Sequence, residues 1–544
     1  MLASLFSLGT LAASGFQVPH INYLAILPEL ILSGGALLIL LAGSLLVDAV
    51  ASGFYAAASV LVAGGALAAS LFLWRDISRH GAFTAVASSI SVDGFSVFFL
   101  VLVCSALILT SMIGAGFLRR ERIDGPEYYV LALLSGSGAM LMAAAGDLIV
   151  IFLGLEILSI ALYVLAGMDS RRAESGEAAM KYFVLGAFSS AIFVYGIALT
   201  YGATGSTNLA QIAAYLAHNP SPEDGLLLAG VGLLLVGFAF KIAAVPFHMW
   251  TPDVYQGSPT PVTGFMASVA KAGGFAALLR VFFDSFQTLR LSWQPVVWTI
   301  AVVTLLGGAI LALVQRDIKR MLAYSSINHA GFILLGLVAA TSSGIAGSLY
   351  YLFAYAVIVI GTFGVITFVA PQGDRRHDIA SYRGLGGRHP VVAFSLTLLL
   401  LAQAGVPFTT GFLSKFYVVS AAVSAHSYAL AVIAMVSAAI ATFFYLRVVV
   451  VMYSDAAPSA ADAASASGDV ALAGSGSSGD GGVTEPGAVA VLTAVGSPVE
   501  AGASPVHIPG SAGLALFVSI TVTVLFGVWP QPLIDFAHAA KLLF

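Results

Sequence analysis

Five charged side chains lie inside long apolar stretches of the chain, where neither a soluble core nor lipid favours a charge: Glu156, Lys181, Lys241, Lys271 and Lys415. A charge at the centre of a bilayer costs about 2.5 to 3.5 kcal/mol on insertion scales, so such residues usually face a polar interior and serve transport. Several of them in one chain predict an ion path across a membrane.

The composition is that of a membrane protein. Of 544 residues, 59% are hydrophobic and only 9% are charged, whereas ordinary soluble domains carry about 25% charged residues. Since about 20 apolar residues cross the hydrocarbon layer, the sequence predicts an all-α, polytopic membrane protein of about fourteen transmembrane helices. The N-terminal segment lacks the basic region of a cleaved signal peptide, so we expect it to be retained.

Several other classes of site are disfavoured by the residues present. The single cysteine, Cys104, allows no disulfide within the chain. The ten histidines show no metal-binding spacing, and the glycines form neither a phosphate loop nor a dinucleotide fingerprint. We therefore expect no metal, nucleotide or nucleic-acid site in this chain.

Basic residues in the expected loops are unevenly distributed between the two sides of the membrane. One side carries twelve of them, Arg119, Arg120, Arg122, Arg171, Arg172, Arg316, Lys319, Arg320, Arg375, Arg376, Arg383 and Arg388. The other side carries only Arg75, Arg79, Arg290 and Lys541. By the positive-inside rule the richer side is cytoplasmic, which predicts that both termini are periplasmic.

Two spans share an interruption. The segments FKIAAVPFHMW, from Phe240, and GVPFTTGFLSKF, from Gly405, each place Val-Pro-Phe near a lysine. Pro246 and Pro407 each break a helix, and a broken span normally lines a hydrated cavity. Lys241 precedes the first break and Lys415 follows the second, which fits two inverted five-helix repeats, each with a broken helix.

This interpretation divides the chain into five parts. Residues 1–127 hold three N-terminal transmembrane helices, 128–283 the first repeat and 296–453 the second. Residues 455–510 are rich in Ala, Ser, Gly and Asp and contain no Lys or Arg, which predicts a disordered cytoplasmic loop. Residues 511–544 hold the last helix.

Each candidate pathway residue has a structural alternative. Glu156 is either a carboxylate paired with a lysine of another helix or a neutral, hydrogen-bonded carboxyl; we favour the pair. Lys241 and Lys271 lie mid-span, whereas Lys181 and Lys415 could instead extend toward the membrane surface.

Other basic groups in or near the spans are His248, His329, Arg280 and Arg447. The two histidines have side chains suited to proton exchange near neutral pH. Arg280 and Arg447 are expected to anchor the span ends at the interface.

These motifs, with LGLEILSIALYVLAG, KYFVLGAFSS and QRDIKRMLAYSSINHAGF, resemble subunit N of bacterial NADH:quinone oxidoreductase, respiratory complex I. The similarity runs from about residue 23 to the end, apart from 455–510. It implies a proton-translocating, antiporter-like subunit of the bacterial inner membrane. Glu156 and Lys241 match the family's coupled pair, Lys271 its central relay and Lys415 its exit-side lysine, while Lys181, His248 and His329 match accompanying polar positions.

The resemblance also implies where the remaining chemistry lies. NADH, flavin, iron-sulfur clusters and quinone would be bound in or between other subunits, with no cofactor in this chain. The implied partners are the antiporter-like subunit M, the small K-type subunit and lipid. A stand-alone cation/proton antiporter and a purely structural spacer are the alternatives, and the buried lysines argue against the spacer.

Overall fold

The computed structural model describes residues 21–45, 53–219, 224–375, 377–455, 506 and 508–543. Within these residues, twelve helices are long and apolar enough to cross a membrane. Two shorter apolar helices, Gly225–Lys241 and Pro390–Ala404, are the first halves of the interrupted spans. Counting each interrupted span once gives fourteen spans in the described residues, which agrees with the sequence prediction. Most of the loop expected at 455–510 lies outside the described residues.

The first half of the fold comprises eight helices and a hairpin. They are α1 (Leu27–Leu45), α2 (Phe54–His80), β1 (Phe83–Ala85), β2 (Ile90–Val92), α3 (Gly94–Glu121), α4 (Glu127–Ala144), α5 (Leu148–Ala166), α6 (Ala173–Thr204), α7 (Leu209–His218) and α8 (Gly225–Lys241). The two strands are antiparallel, with Phe83 opposite Val92.

The second half continues from the first break to the C-terminus. Its helices are α9 (Trp250–Gly257), α10 (Thr260–Phe265), α11 (Lys271–Asp284), α12 (Arg290–Leu313), α13 (Ile318–Ala339), α14 (Ser342–Val369), α15 (Leu385–Arg388), α16 (Pro390–Ala404), α17 (Thr410–Ser424), α18 (Tyr428–Tyr453), α19 (Gly510–Val528) and α20 (Gln531–Ala539). A π-helical turn, Met266–Ala270, joins α10 to α11, and 3-10 turns lie at Gln287–Leu289 and Ile379–Tyr382.

Helix ends are set by residues that satisfy free backbone groups. Asp93 begins α3 by accepting the Ser96 amide, while the Ser96 hydroxyl bonds the Asp93 amide in return, so both orphan donors are satisfied. Asp224 likewise accepts two amides at the start of α8. These caps fix where α3 and α8 begin.

The centre of the molecule is formed by helices that neighbouring helices surround. The α10–α11 span is buried throughout, and α13 and α14 are nearly so. Helices α1, α2 and α6 instead leave large apolar side chains such as Leu38, Leu61 and Phe188 exposed. Charged groups in the central spans are therefore enclosed by protein and do not face lipid.

The basic loops converge at one end of the bundle. Arg120 donates to the carbonyls of Thr367 and Ala370, and Arg171 donates to the carbonyl of Glu121. Arg172 pairs with Asp374, in the loop after α14. Contacts among the regions that follow α3, α5 and α14 bring these cations to one face, as the charge distribution predicts.

Candidate proton pathway

The first break leaves backbone groups that neighbouring side chains satisfy. Helix α8 ends at Lys241, and Ala243 adopts a φ of 61° in the linker to α9. The Val245 amide donates to the Thr304 hydroxyl at 3.0 Å, and the Trp250 indole donates to the Phe240 carbonyl at 3.1 Å. Protein groups thus replace the missing helical partners, as a break at membrane depth requires.

The second break is built differently. Helix α16 ends at Ala404, and Gly405 and Phe408 have φ values of 93° and 65°. A Cβ on Gly405 would lie 3.1 Å from Lys415 Cδ, so glycine serves both the turn and the lysine. The ammonium of Lys415 donates to the Ala404 carbonyl at 2.8 Å and lies 5.1 Å from the centre of the Phe332 ring.

Lys241 contacts hydroxyl groups. Its Nζ lies 2.8 Å from Ser159 Oγ and 3.4 Å from the Tyr182 hydroxyl. Contrary to the expected arrangement, Glu156 and Lys241 form no direct ion pair. Glu156 instead accepts a 2.5 Å hydrogen bond from Ser190, because Ser159, one turn further along α5, occupies the place nearest the ammonium. Lys241 is the last residue of α8 and lies directly before the break in the middle of this span.

A small cavity adjoins Lys241 and the α5–α6 contact. Its volume is about 10 Å³, and Ser159, Ser190 and Lys241 are among its lining residues. A space of about 10 to 15 Å³ is enough for one water molecule. The cavity lies between the hydroxyl that bonds Glu156 and the ammonium of Lys241.

Lys271 follows the π-helical turn directly and reaches α13. Its Nζ donates to the Ser326 carbonyl and lies 2.5 Å from the Ser326 hydroxyl. The same ammonium lies 5.6 Å from the centre of the Tyr355 ring. Gly274, one turn later, packs against the stem of Lys241, since a Cβ there would come within 3.2 Å of Lys241 Cγ. Lys271 therefore lies between Lys241 and α13.

His329 occupies the next turn of α13 after Ser326. Its Nδ1 lies 2.6 Å from the Tyr351 hydroxyl and its Nε2 lies 3.1 Å from the Tyr445 hydroxyl. The Tyr355 ring packs 4.7 Å from the imidazole, so one ring contacts both Lys271 and His329. Which imidazole nitrogen carries the proton depends on these two hydroxyls.

The link to the second break runs through Gln403 near the end of α16. Its carbonyl oxygen accepts from the Tyr445 hydroxyl at 3.4 Å, and its amide donates to Thr362 at 2.9 Å. A cavity of about 10 Å³ is lined by His329, Gln403 and Ser414, the residue before Lys415. The structure thus arranges Lys241, Lys271, His329 and Lys415 in sequence across the bundle.

The remaining predicted positions lie apart from this row. Lys181 is partly exposed and pairs with Glu177 and Asp253, both at 2.7 Å. His248 is half-buried in the linker after Pro246, with its Nδ1 unpaired, 6.4 Å from the Tyr324 ring. Neither side chain contacts the row of buried lysines.

The prediction for Arg280 is wrong. Its side chain is fully buried, bonds Asp93 through both terminal nitrogens at 2.9 and 3.0 Å, and pairs with Asp284 at 3.3 Å. This cluster could not be predicted from the sequence because Asp93 and Arg280 lie 187 positions apart. Arg447 donates to the carbonyls of Leu313 and Gln315 at the end of α12, so it caps a helix end.

Several residues of the row were not recognised from the sequence. They are Ser159, Tyr182, Tyr351, Tyr355, Gln403 and Tyr445. Isolated tyrosines and serines are common in apolar helices, so only a known contact with a buried lysine marks them. The one available signal was the run Tyr324, Ser325 and Ser326 before His329.

Comparisons with known proteins identify the family. Residues 145–441 match the family of the NADH:quinone oxidoreductase/Mrp antiporter transmembrane region. The NADH-quinone oxidoreductase subunit N of Trichlorobacter lovleyi is 42% identical over 77% of this chain and 85% of its own length. That of Mycobacterium tuberculosis is 48% identical over 57% of this chain and 59% of its own length.

Solved structures show the same fold. A chain of respiratory complex I from Thermus thermophilus with bound aureothin is 29% identical, with a TM-score of 0.71 over 93% of this chain and 98% of that one. A chain of the Mrp complex from Dietzia sp. is 21% identical, with a TM-score of 0.77 over 94% and 97%, and so shares the fold. The chain belongs to the NADH:quinone oxidoreductase/Mrp antiporter family and, within it, to the subunit N proteins.

Proposed function

We propose that the row of buried basic residues is the route by which this chain moves protons. Membership of the subunit N family makes the chain a proton-translocating subunit of the membrane arm of NADH:quinone oxidoreductase. Protons pass from the cytoplasm to Lys241, then by Lys271 and His329 to Lys415, and leave on the periplasmic side. Electron transfer from NADH to quinone takes place in other subunits, which hold the flavin and the iron-sulfur clusters.

The observation that carries this proposal is the burial of three lysines without a carboxylate partner. Lys241, Lys271 and Lys415 are 5%, 3% and 7% exposed, and none of the ion pairs among the described residues includes them. An unpaired ammonium at membrane depth weakens the fold, so its retention indicates transport. Each ammonium instead donates to a hydroxyl or carbonyl oxygen, of Ser159, Ser326 and Ala404 respectively.

Glu156 controls the first lysine through the space between them. Its carboxylate bonds Ser190, and the cavity of water size beside Ser190 and Ser159 extends to Lys241. Moving a negative charge toward or away from Lys241 changes the affinity of that lysine for a proton. Glu156 lies on α5, whose exposed face carries Leu153, Ile157 and Ile160, so a neighbouring subunit packed there could move it.

The partners and the orientation follow from the same assignment. The exposed α5 and α6 faces suit the antiporter-like subunit M and the small K-type subunit. The face bearing the basic loops is cytoplasmic and both termini are periplasmic, by the positive-inside rule. The two inverted repeats remain 128–283 and 296–453, each containing one broken helix.

The test uses two single variants, Glu156→Gln and Lys271→Met. Each is compared with Glu127→Gln, a change at an exposed carboxylate far from the row. Because the side chains keep nearly the same volume, we expect the complex to assemble. NADH-driven proton uptake by inverted vesicles, normalised to the amount of complex, should fall at least tenfold for Lys271→Met and several-fold for Glu156→Gln. Uptake equal to that of Glu127→Gln in both variants would contradict the route.

A further inference from the structure

A charged cleft opens beside the first broken helix, on the face where the basic loops meet. Its volume is about 920 Å³, and residues of α6, α9 and α13 are among its walls. Its lining includes Glu177, Lys181, Asp253, Gln256, Arg320 and Asp374. A space of this size with so many charged groups is accessible to water.

An ionic bridge crosses the cleft. Asp253 accepts from Lys181 at 2.7 Å through one carboxylate oxygen and from Arg320 at 2.5 Å through the other. The two cations thus face one carboxylate, and such charge-assisted hydrogen bonds are stronger than neutral ones. Asp253 thus ties α9 to both α6 and α13.

A pair of stacked aromatic rings lies directly behind this bridge. The Tyr182 and Trp250 rings are parallel within 11°, with centroids 4.5 Å apart, and both side chains are buried. Trp250 precedes Asp253 by one turn of α9, and Tyr182 follows Lys181 in α6. The indole N–H bond to the Phe240 carbonyl fixes the orientation of the Trp250 ring.

Lys241 lies behind the stacked rings. The Tyr182 hydroxyl is 3.4 Å from its Nζ. Ala178, which lines the cleft, precedes Tyr182 by four residues and so lies on the same face of α6, about 6 Å along the axis. From the cleft inward, the order is therefore the Asp253 bridge, the stacked rings and the ammonium of Lys241.

We propose that the bridge and the stacked rings form a two-layer gate between the cleft and Lys241, with the Tyr182 hydroxyl as the last proton carrier. This inference rests on the proposed loading of Lys241 from the cytoplasm. In the transfer step the Tyr182 O–H bond breaks as an N–H bond forms on the neutral Lys241 amine. A hydrated proton from the cleft restores the hydroxyl, so one proton moves from water to the amine and tyrosine ends unchanged.

The gate is tested by chemical access to the position behind it. Since the chain has one cysteine, Cys104, Cys104→Ala combined with Lys241→Cys places the only thiol of this chain there. The intact complex in inverted vesicles is treated with a small cationic methanethiosulfonate, and the mass of this chain reports the labelling rate. This readout does not depend on pumping, so failure of the gate and failure of the proton route are distinguishable.

We expect Trp250→Ala to raise the labelling rate at least tenfold and Asp253→Asn to raise it by a smaller factor. Trp250→Phe, which keeps an aromatic ring, should stay within about threefold of the parent. Equal rates in Trp250→Ala and the parent, or faster labelling from the other face of the membrane, would overturn the proposal. Ser159→Cys provides a second reporter position if Lys241→Cys does not assemble.

The carrier role of Tyr182 is tested separately. Tyr182→Phe keeps the stacked ring and removes only the hydroxyl. The matched control is Tyr129→Phe, at a buried tyrosine whose hydroxyl has no hydrogen-bond partner. NADH-driven proton uptake should fall at least fivefold for Tyr182→Phe relative to Tyr129→Phe; equal uptake would overturn the carrier role.

Discussion

The two broken helices have the same Val-Pro-Phe interruption but hold their lysines in different surroundings. Lys241 lies at the end of α8, bonded to hydroxyl groups of α5 and α6 and close to a charged cleft. Lys415 lies beyond its break and donates to a backbone carbonyl at the end of α16. Water can replace the hydroxyl partners of Lys241. Lys415 is instead held in place by the backbone carbonyl at the end of α16.

The charged groups around Lys241 and Lys415 also differ. Near the first break, Asp253 and Asp374 join helices through several cations. The end of α16 contributes instead the negative end of a helix dipole, which favours a cation near its last carbonyls. The comparison indicates a loading site at Lys241 and a holding site at Lys415.

The largest effect is expected from removing the charge of Lys415. Lys415→Met should lower NADH-driven proton uptake at least tenfold, because no other lysine of the row reaches the Ala404 carbonyl. Uptake by inverted vesicles, together with gel analysis of assembly, measures this. Lys541→Met, at an exposed lysine, is the control, and equal uptake in the two variants would remove Lys415 from the route.

Asp374→Asn should destabilise the cleft side of the molecule. Asp374 is fully buried, pairs with Arg172 at 3.0 Å and Lys319 at 3.5 Å, and accepts from Thr260. Removing one partner of a buried ion pair typically costs about 3 to 5 kcal/mol. The fraction of this chain that resists proteolysis after heating should fall, while Asp378→Asn, at the exposed position near it, should leave it unchanged.

The same carboxylate makes stability depend on pH. Burial acts to raise the pKa of Asp374, but Lys319 and His377 outweigh it and leave that pKa well below its usual range. A carboxylate whose pKa is lowered in the folded state stabilises that state at every pH above its pKa in the unfolded chain, about 3.9. This stabilisation is lost progressively as the pH falls below that value. The stability difference between the parent and Asp374→Asn should therefore stay constant from pH 7 to about pH 5 and shrink below that, and a difference that is unchanged at pH 3 would contradict this assignment.

A change confined to the second break is Gly405→Ala. The backbone there has a φ of 93°, and an added Cβ would meet Lys415 Cδ at 3.1 Å. A side chain in a left-handed conformation costs about 1 to 2 kcal/mol, and the shifted lysine should lower proton uptake two- to fivefold. Gly387→Ala, where a Cβ would meet nothing, is the matched control; equal uptake would show that Gly405 has no role in placing Lys415.

The smallest effect is expected at the first break from Ser159→Ala. Lys241 would lose its 2.8 Å partner but keep the Tyr182 hydroxyl and the adjoining cavity. Proton uptake should fall by about two- to threefold, since a hydrogen bond to a charged group is worth about 1.5 to 3 kcal/mol and water can replace part of it. A tenfold loss would show that the first site holds its lysine as rigidly as the second.

Much of the fold could be predicted from the sequence, because a span needs about 20 apolar residues and a charge or a proline within it is unusual. Long apolar segments predicted the spans, the prolines predicted both breaks, and charges in apolar segments predicted the buried lysines. The same motifs identify the family. Each of these signals is local, so it does not require knowledge of which segments meet.

Most of what the sequence does not predict depends on contacts between distant segments. The stacking of Tyr182 on Trp250, the burial of Arg280 against Asp93 and the insertion of Ser159 beside Lys241 join helices far apart in the chain. The absence of a direct Glu156–Lys241 contact has the same origin, since residue types alone cannot show that Ser159 lies closer to the ammonium. The π-helical turn before Lys271 also has no proline to mark it.

The central claim is that protons pass along the row that begins at Lys241. The most direct measurement is NADH-driven proton uptake in inverted vesicles, comparing the parent with Lys241→Ala at matched abundance of the complex. The account predicts that uptake is lost while the complex remains assembled. Unchanged uptake would contradict it and would support a structural role for this lysine.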